Sequence, residues 1–222
     1  MSVPDMGRPG VWRKLFPHAL TLMDSLEEEI VRPRWTFGGG TALMLRIGHR
    51  HSKDIDLFVP DPQYLGYVNP RLSAVAEQIT TDYEENAEFI KLFLPDGEID
   101  IVVGASLTDD PFELVRHAGR EIKIETCAEI IAKKMWYRGD RARARDLFDL
   151  CAVFEAEPQA IVLAAPFIGR HGAAFLQQLQ ERAALVEAEF GAIDAIGFRR
   201  PFAACVAQAR EIIESLLSTA PQ

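Results

Sequence analysis

The stretch GGGTALMLRIGHRHSKDIDLF, Gly38 to Phe58, sets a triple glycine, a short apolar run and two aspartates in close succession. Thr41 to Ile47 predicts a short helix that opens on the glycines and stops at Gly48. Asp54 to Val59 predicts a strand, with Asp54, Asp56 and Phe58 on one face and Ile55, Leu57 and Val59 on the other. Carboxylates at i and i+2 of a strand share a face and repel each other unless a cation lies between them. A glycine-rich turn that opens a helix presents unpaired backbone N–H groups and the positive end of the helix dipole, which favour an anion such as phosphate. A phosphate site and a carboxylate pair are therefore expected side by side.

The elements around this stretch extend the pattern. Trp12 to Val31 reads as a helix stopped near Pro33, and Arg71 to Thr80 as another. Glu88 to Leu94 and Glu98 to Val103 read as strands joined by Pro95-Asp96-Gly97, a hairpin signal, and Gly119 to Glu125 as a further strand. Glu98, Asp100 and Val102 alternate with Ile99, Ile101 and Val103, so Asp100 would join the acidic cluster if its strand neighboured residues 54–59. Three converging carboxylates suit magnesium or manganese, which take hard oxygen ligands shared with substrate phosphates. Taken singly, each of these acids would be read as a solvent-facing surface group.

From Thr126 the periodicity turns helical. Thr126 can cap a helix with Glu129 in its first turn, running to about Arg138 before Gly139-Asp140 interrupts it. RDLFDLCAVF belongs to the next helix, and Pro158, Gly169 to Gly172 and Arg199-Arg200-Pro201 punctuate three more, the last from Phe202 to about Leu217. The expected architecture is α/β (α+β): a mixed sheet with helices over residues 1–125, followed by a helical region over residues 126–222. No repeat or linker separates them, so they are expected to pack as one unit.

Composition narrows the class. The chain has 222 residues, 48% of them apolar, and a formal charge of −9. That charge argues against loose coating of nucleic acid, although KKMWYRGDRARAR, Lys133 to Arg145, is a local basic segment. Cys127, Cys151 and Cys205 are far apart and form no C-x-x-C pair, which argues against a disulfide framework or zinc site. The opening residues lack a signal-peptide core, and no run approaches the roughly 18 apolar residues of a membrane span, so a cytoplasmic location without membrane contact is expected. His49 and His51 alternate around Arg50 and are read as loop histidines.

Two stretches carry a family resemblance. Gly39 to Phe58, with Arg50-x-Ser52-x-Asp54-Ile55-Asp56-Leu57-Phe58, resembles the first motif of AbiEii-type nucleotidyltransferases, toxins of toxin–antitoxin pairs within the DNA polymerase β-like superfamily. EIIAKKMWYRGDRARARDLFDL, Glu129 to Leu150, resembles that family's helical motif, with Ala144 where proline would be expected. The resemblance implies the polymerase β-like fold and transfer of a nucleoside monophosphate from an NTP such as ATP, GTP or CTP to a hydroxyl, with release of pyrophosphate. It implies that Gly39, Gly40 and Thr41 hold the triphosphate, that Asp54 and Asp56 ligate magnesium, that Lys134 contacts a phosphate, and that Asp146 completes the site. It further implies an RNA acceptor, such as a tRNA end, and a separate antitoxin.

The residue reading leaves other roles open. Asp146 can serve as general base or substrate-orienting acid, or merely favour its helix dipole. Arg50 and Ser52 support their loop, with phosphate contact by Arg50 as the sharper reading; Asp149 and Arg145 brace helices; and Lys133 is taken as exposed. Rival functions are transfer to a small molecule such as an aminoglycoside, a nucleotide-binding module without turnover, and a purely structural protein. The basic segment favours RNA over the first, the retained acids and lysine argue against the second, and the glycine turn argues against the third.

Overall fold

Alternating apolar residues generate a seven-stranded mixed sheet in the computed structural model, which describes residues 2–219. The strands are β1 (Thr36–Gly38), β2 (Ile55–Val59), β3 (Tyr83–Glu85), β4 (Phe89–Leu94), β5 (Gly97–Val103), β6 (Phe112–His117) and β7 (Arg120–Glu125). Their order is β3-β4-β5-β2-β1-β7-β6, with β2 parallel to β5, β1 parallel to β7, and the other neighbours antiparallel. One face of the central strands is fully apolar: Ile55, Leu57, Ile99, Ile101, Ile90 and Leu92 are all buried. Helix α1 (Trp12–Glu29) packs against β2 and β5, and its Phe16 meets Phe37 of β1 ring to ring. Each such buried side chain contributes about 1.5–3 kcal/mol.

Helix α2 (Gly39–Ile47) starts directly from β1, two residues earlier than the sequence suggested. It can do so because Gly39 adopts φ +67°, a left-handed turn that other residues resist. Gly48 ends the helix at φ +59° with its N–H on the Met44 carbonyl, the glycine stop expected from the sequence. The expected helix at residues 71–80 is shorter, α3 (Ala74–Ile79), because Ser73 caps it by accepting from the Ala76 N–H.

Beyond β7 the described chain is helical: α4 (Cys127–Arg138), α5 (Ala144–Ala156), α6 (Pro158–Glu181), α7 (Ala183–Gly191) and α8 (Phe202–Thr219). Thr126 caps α4 by accepting from the Glu129 N–H at 3.2 Å, as expected. Gly169 to Gly172 do not interrupt α6, contrary to expectation. Gly172 instead allows close helix packing, since a Cβ there would lie 2.6 Å from Ile213 of α8. Helix α6 is also long and apolar enough, by length and composition, to cross a membrane, which the sequence reading did not anticipate. Its buried residues Ala160, Ile161, Ala164, Ile168, Phe175 and Leu179 form one stripe at helical spacing, and α6 packs against α4, α5 and α8. That pattern belongs to a core helix.

Backbone pairing ties the last helices to the first half. Arg50 bridges Ala195, the Ile196 N–H donates to the His49 carbonyl, and the His51 N–H donates to the Asp194 carbonyl. The loop after α2 is thus clamped by the segment before α8.

Candidate active site

The register of the central strands builds the floor of a cleft of about 1480 Å³ between the sheet and the helices. Asp56 of β2 pairs directly with Asp100 of β5, which pairs with Lys91 of β4. The strand neighbours required for Asp100 to join the acids are therefore present. Asp54, Asp56 and Asp100 all line the cleft. Asp54 lies just before β2, where its Oδ1 accepts from the Glu98 N–H at 3.1 Å.

Charge crowding marks these acids. Burial pushes the Asp56 carboxyl up, and Asp54 adds to this, against the pull of Arg138, Lys134 and the Gly40 N–H. Burial, then Asp56, pushes Asp100 up to about 7, while Lys91 at 3.5 Å pulls the other way. Asp100 Oδ1 is buried without a hydrogen-bond partner. Facing carboxylates with an unsatisfied oxygen are a donor set of the hard kind that magnesium or manganese takes, so the residues fit such an ion. Among the described residues no three His, Cys, Asp or Glu side chains already form a metal-holding cluster. With Asp54 drawn to the Glu98 N–H, Asp56 and Asp100 form the core of the donor set.

The glycine turn adjoins them. The Gly39 Cα abuts Asp56 so closely that an added Cβ would lie 1.9 Å from Oδ2. A Cβ on Gly40 would lie 2.9 Å from both Arg50 Nη2 and Ser52 Oγ. Gly39, Gly40, Arg50 and Ser52 therefore share one corner of the cleft, at the start of α2. Thr41 does not join them through its side chain. It is fully buried and donates its hydroxyl to the Asp54 carbonyl at 2.5 Å, so any part Thr41 plays at the turn falls to its backbone. Its hydroxyl fixes the turn that delivers Asp54.

The helices close the other wall with a charged chain. Lys134 Nζ sits 2.8 Å from Asp146 Oδ1 and 2.9 Å from Asp149 Oδ2. Arg138 also donates to Asp146, at 2.8 Å. Asp149 accepts from Arg50 through Nε at 2.7 Å and Nη2 at 2.9 Å, and from His49 Nε2 at 2.8 Å. Burial raises the Asp149 carboxyl, but Arg50, Lys134 and His49 overturn this and hold it well below the usual range. Burial likewise opposes Asp146, whose carboxyl Lys134 and Arg138 nevertheless hold low. Asp146 thus holds Lys134 and Arg138 through Oδ1, while its Oδ2 is buried without a hydrogen-bond partner. Burial keeps His49 neutral by lowering its imidazole below the usual range. Its Nε2–H then donates to Asp149, and Nδ1 is left without a partner.

Spacing alone missed three of these features. His49 lies in the loop after α2 but is buried in the network, and Asp149 grips Arg50 across the cleft wall. Lys133, expected to be exposed, is buried: its Nζ pairs with Glu125 at 2.5 Å and lies 3.9 Å from the Phe58 ring centroid. Burial favours protonation of Glu125, with Lys133 pulling the other way. No signal in the sequence distinguished Lys133, because adjacent helix residues point about 100° apart and such a pair fits one broad solvent-facing arc as well as a buried one. Arg145 remains exposed on the rim.

The family described as "Nucleotidyl transferase AbiEii toxin, Type IV TA system" matches residues 21–217, nearly the whole chain. The chain belongs to this AbiEii family. It is accordingly a nucleotidyltransferase of the toxin–antitoxin class, with a nucleotide substrate and an antitoxin partner implied. No curated protein matches the sequence. Among solved structures the AbiEii chain is similar to a Helicobacter pylori protein provisionally described as a nucleotidyltransferase, at TM-score 0.48 and 17% identity over 94% of this chain and 99% of that one. JHP933 from Helicobacter pylori is similar at TM-score 0.49 and 16% identity, covering 92% of each chain. A STING-associated CdnE c-di-GMP synthase from Capnocytophaga granulosa is similar at TM-score 0.33 and 10% identity, over 94% of this chain and 81% of that one.

Proposed function

We propose that this AbiEii protein transfers the NMP moiety of ATP, GTP or CTP to a hydroxyl of RNA, a tRNA end being the favoured acceptor, as a cytoplasmic toxin neutralised by a separate antitoxin. The observation that carries the reading is the in-register pair Asp56 and Asp100, with the Gly39-Gly40 turn at one end and Lys134 on the opposite wall. Residues 1–125 supply the acids and the phosphate turn, and residues 126–222 supply the cations.

In this reading the N–H groups at the start of α2 take the terminal phosphates, with Ser52 and Arg50 beside them. Asp56, Asp100 and Asp54 hold magnesium or manganese, which when bound neutralises phosphate charge and activates the attacking hydroxyl. Lys134 offers a charge to the leaving pyrophosphate, whose negative charge grows in the transition state. Asp146 and Asp149 keep that amine in place. Arg141, Arg143, Arg145 and Arg182 are exposed on the cleft rim and would meet an RNA backbone, which an otherwise acidic chain needs for a polyanionic acceptor.

The test incubates the protein with magnesium, each labelled NTP in turn, and total RNA or small hydroxyl acceptors. Label in RNA from wild type, absent from a folded Asp56→Asn variant, is the expected result. Label on small acceptors alone would replace RNA with a small-molecule substrate. No label anywhere would leave a nucleotide-binding module and refute the catalytic proposal.

A further inference from the structure

We infer that the cleft contains a nucleobase-stacking subsite one strand step beyond the acids, formed by Phe58, Val102 and Phe89 below and by Tyr137 above. The inference rests on the nucleotidyl-transfer reading and locates its base-binding part.

The sheet register makes the argument. Asp56, Asp100 and Lys91 form one row across β2, β5 and β4, and Phe58, Val102 and Phe89 form the next row on the same face. Two residues along a strand advance about 7 Å, roughly the reach from a reacting phosphate across a ribose to its base. The glycine turn lies on the opposite side of the acid row, since β1 enters it at Gly38, which pairs with Asp56, while Thr36 pairs with Phe58. Along the strand axis the cleft floor therefore runs from phosphate turn to acids to apolar row.

Helix α4 roofs the two rows differently. Lys134 belongs to the charged chain over the acids, whereas Ile130, Lys133 and Tyr137 line the cleft at helical spacing on the apolar side. Lys133 already occupies a face of Phe58, so Phe58 acts as wall. Tyr137 is 51% exposed, and no aromatic or cationic stacking contact is made by it among the described residues. Its hydroxyl and the Phe58 ring both approach Gly104, which places the two aromatics at the same end of the cleft. Phe89, half-buried at the other side of the row, also has no ring partner among the described residues. An exposed aromatic over an apolar floor is the arrangement that takes a planar base.

The base can come from the incoming NTP or from the RNA acceptor, and the experiment separates them. Tyr137→Ala, Tyr137→Phe and wild type are titrated with ATP, GTP, CTP and UTP singly, with inorganic tripolyphosphate as the base-free probe, and then assayed for transfer to total RNA at saturating NTP. If the base is the nucleotide's, Tyr137→Ala weakens binding of the preferred NTP about 10-fold or more, leaves tripolyphosphate binding unchanged, and Tyr137→Phe restores it. If the base is the acceptor's, NTP binding is unchanged and the RNA KM rises by a similar factor with kcat retained. A wild type that transfers label, with Tyr137→Ala matching it in both NTP affinity and RNA KM, overturns the subsite alone. A wild type that binds neither NTP nor tripolyphosphate overturns the transfer reading and the subsite together.

Discussion

Asp149 is the acceptor that holds the cleft wall together, and its removal has a calculable cost. It is fully buried and receives His49, two nitrogens of Arg50 and Lys134, all within 2.9 Å. Asp149→Leu leaves Arg50, only 4% exposed, as a buried guanidinium without its carboxylate, while Lys134 keeps Asp146. Breaking a buried pair in this way costs about 3–5 kcal/mol. At about 2–4 °C per kcal/mol for a chain of this size, Tm falls by about 10 °C. Arg50→Met should cost less, because Lys134 and His49 still satisfy Asp149. The double variant removes both charges together, so urea unfolding of all four proteins should give a coupling of about 2 kcal/mol or more in a double-mutant cycle. Because the folded carboxyl of Asp149 is depressed, its contribution is complete above its unfolded pKa, about 3.9, and is lost as pH falls through the lower folded value. The Asp149→Leu deficit should therefore be larger at pH 7 than at pH 3. Additive losses in the cycle, or a deficit that does not shrink in acid, would refute the network.

Three further outcomes follow from the site. Asp100→Asn, measured in EDTA, should stabilise the protein at pH 8: a carboxyl raised to about 7 destabilises as pH climbs through its unfolded value and does so fully above the folded one. The gain should be about 2–4 kcal/mol, taken below the full pKa difference because Lys91 loses a partner, and should vanish near pH 4 in chemical unfolding; a pH-independent gain would contradict the charge-crowding cause. Gly39→Ala must force a side chain into Asp56 at a positive φ, so transfer should be lost and stability should drop by more than about 1 kcal/mol; crystals showing an undisturbed turn with full activity would contradict this. Lys134→Met should lower kcat by about 10²–10³ with a far smaller change in NTP affinity, read by single-turnover transfer and equilibrium binding; an equal change in both would reassign Lys134 to ground-state binding.

What the sequence disclosed and what it hid divide along physical lines. The strand with Asp56, the hairpin around Asp96 and the Thr126 cap all rest on local periodicity or local hydrogen bonding, which neighbouring residues specify. Strand β1 was hidden because three residues, running at once into glycines, carry no alternation. Strand β6 was hidden because its Leu114 is 59% exposed at an edge of the sheet, so no buried face writes itself into the pattern. The roles of His49 and Asp149 depend on a contact across 100 residues of chain, which spacing cannot encode. The acids were legible, but the service of Thr41 to Asp54 was not, since a threonine beside a phosphate turn reads the same whether its hydroxyl points into the cleft or into the turn.

The tandem lysine shows why the site lies at the joint between the sheet and the helices. Lys133 and Lys134 leave α4 in directions about 100° apart. Lys133 pairs with Glu125 at the end of β7 and covers Phe58, while Lys134 completes the chain from Asp146 to Asp149 and on to Arg50 beside the glycine turn. The sheet floor carries Asp54, Asp56, Asp100 and Glu125 within one cleft, a charge arrangement that is unfavourable unless cations face it. Helix α4 and Arg138 at its end provide those cations, and the Asp149–Arg50 pair together with the pairing of residues 194–197 to the loop after α2 holds them in place. Docking of the helices is therefore part of what makes the acidic floor tolerable, and the arrangement that stabilises the fold is the same one that sets a cation wall across from the acids.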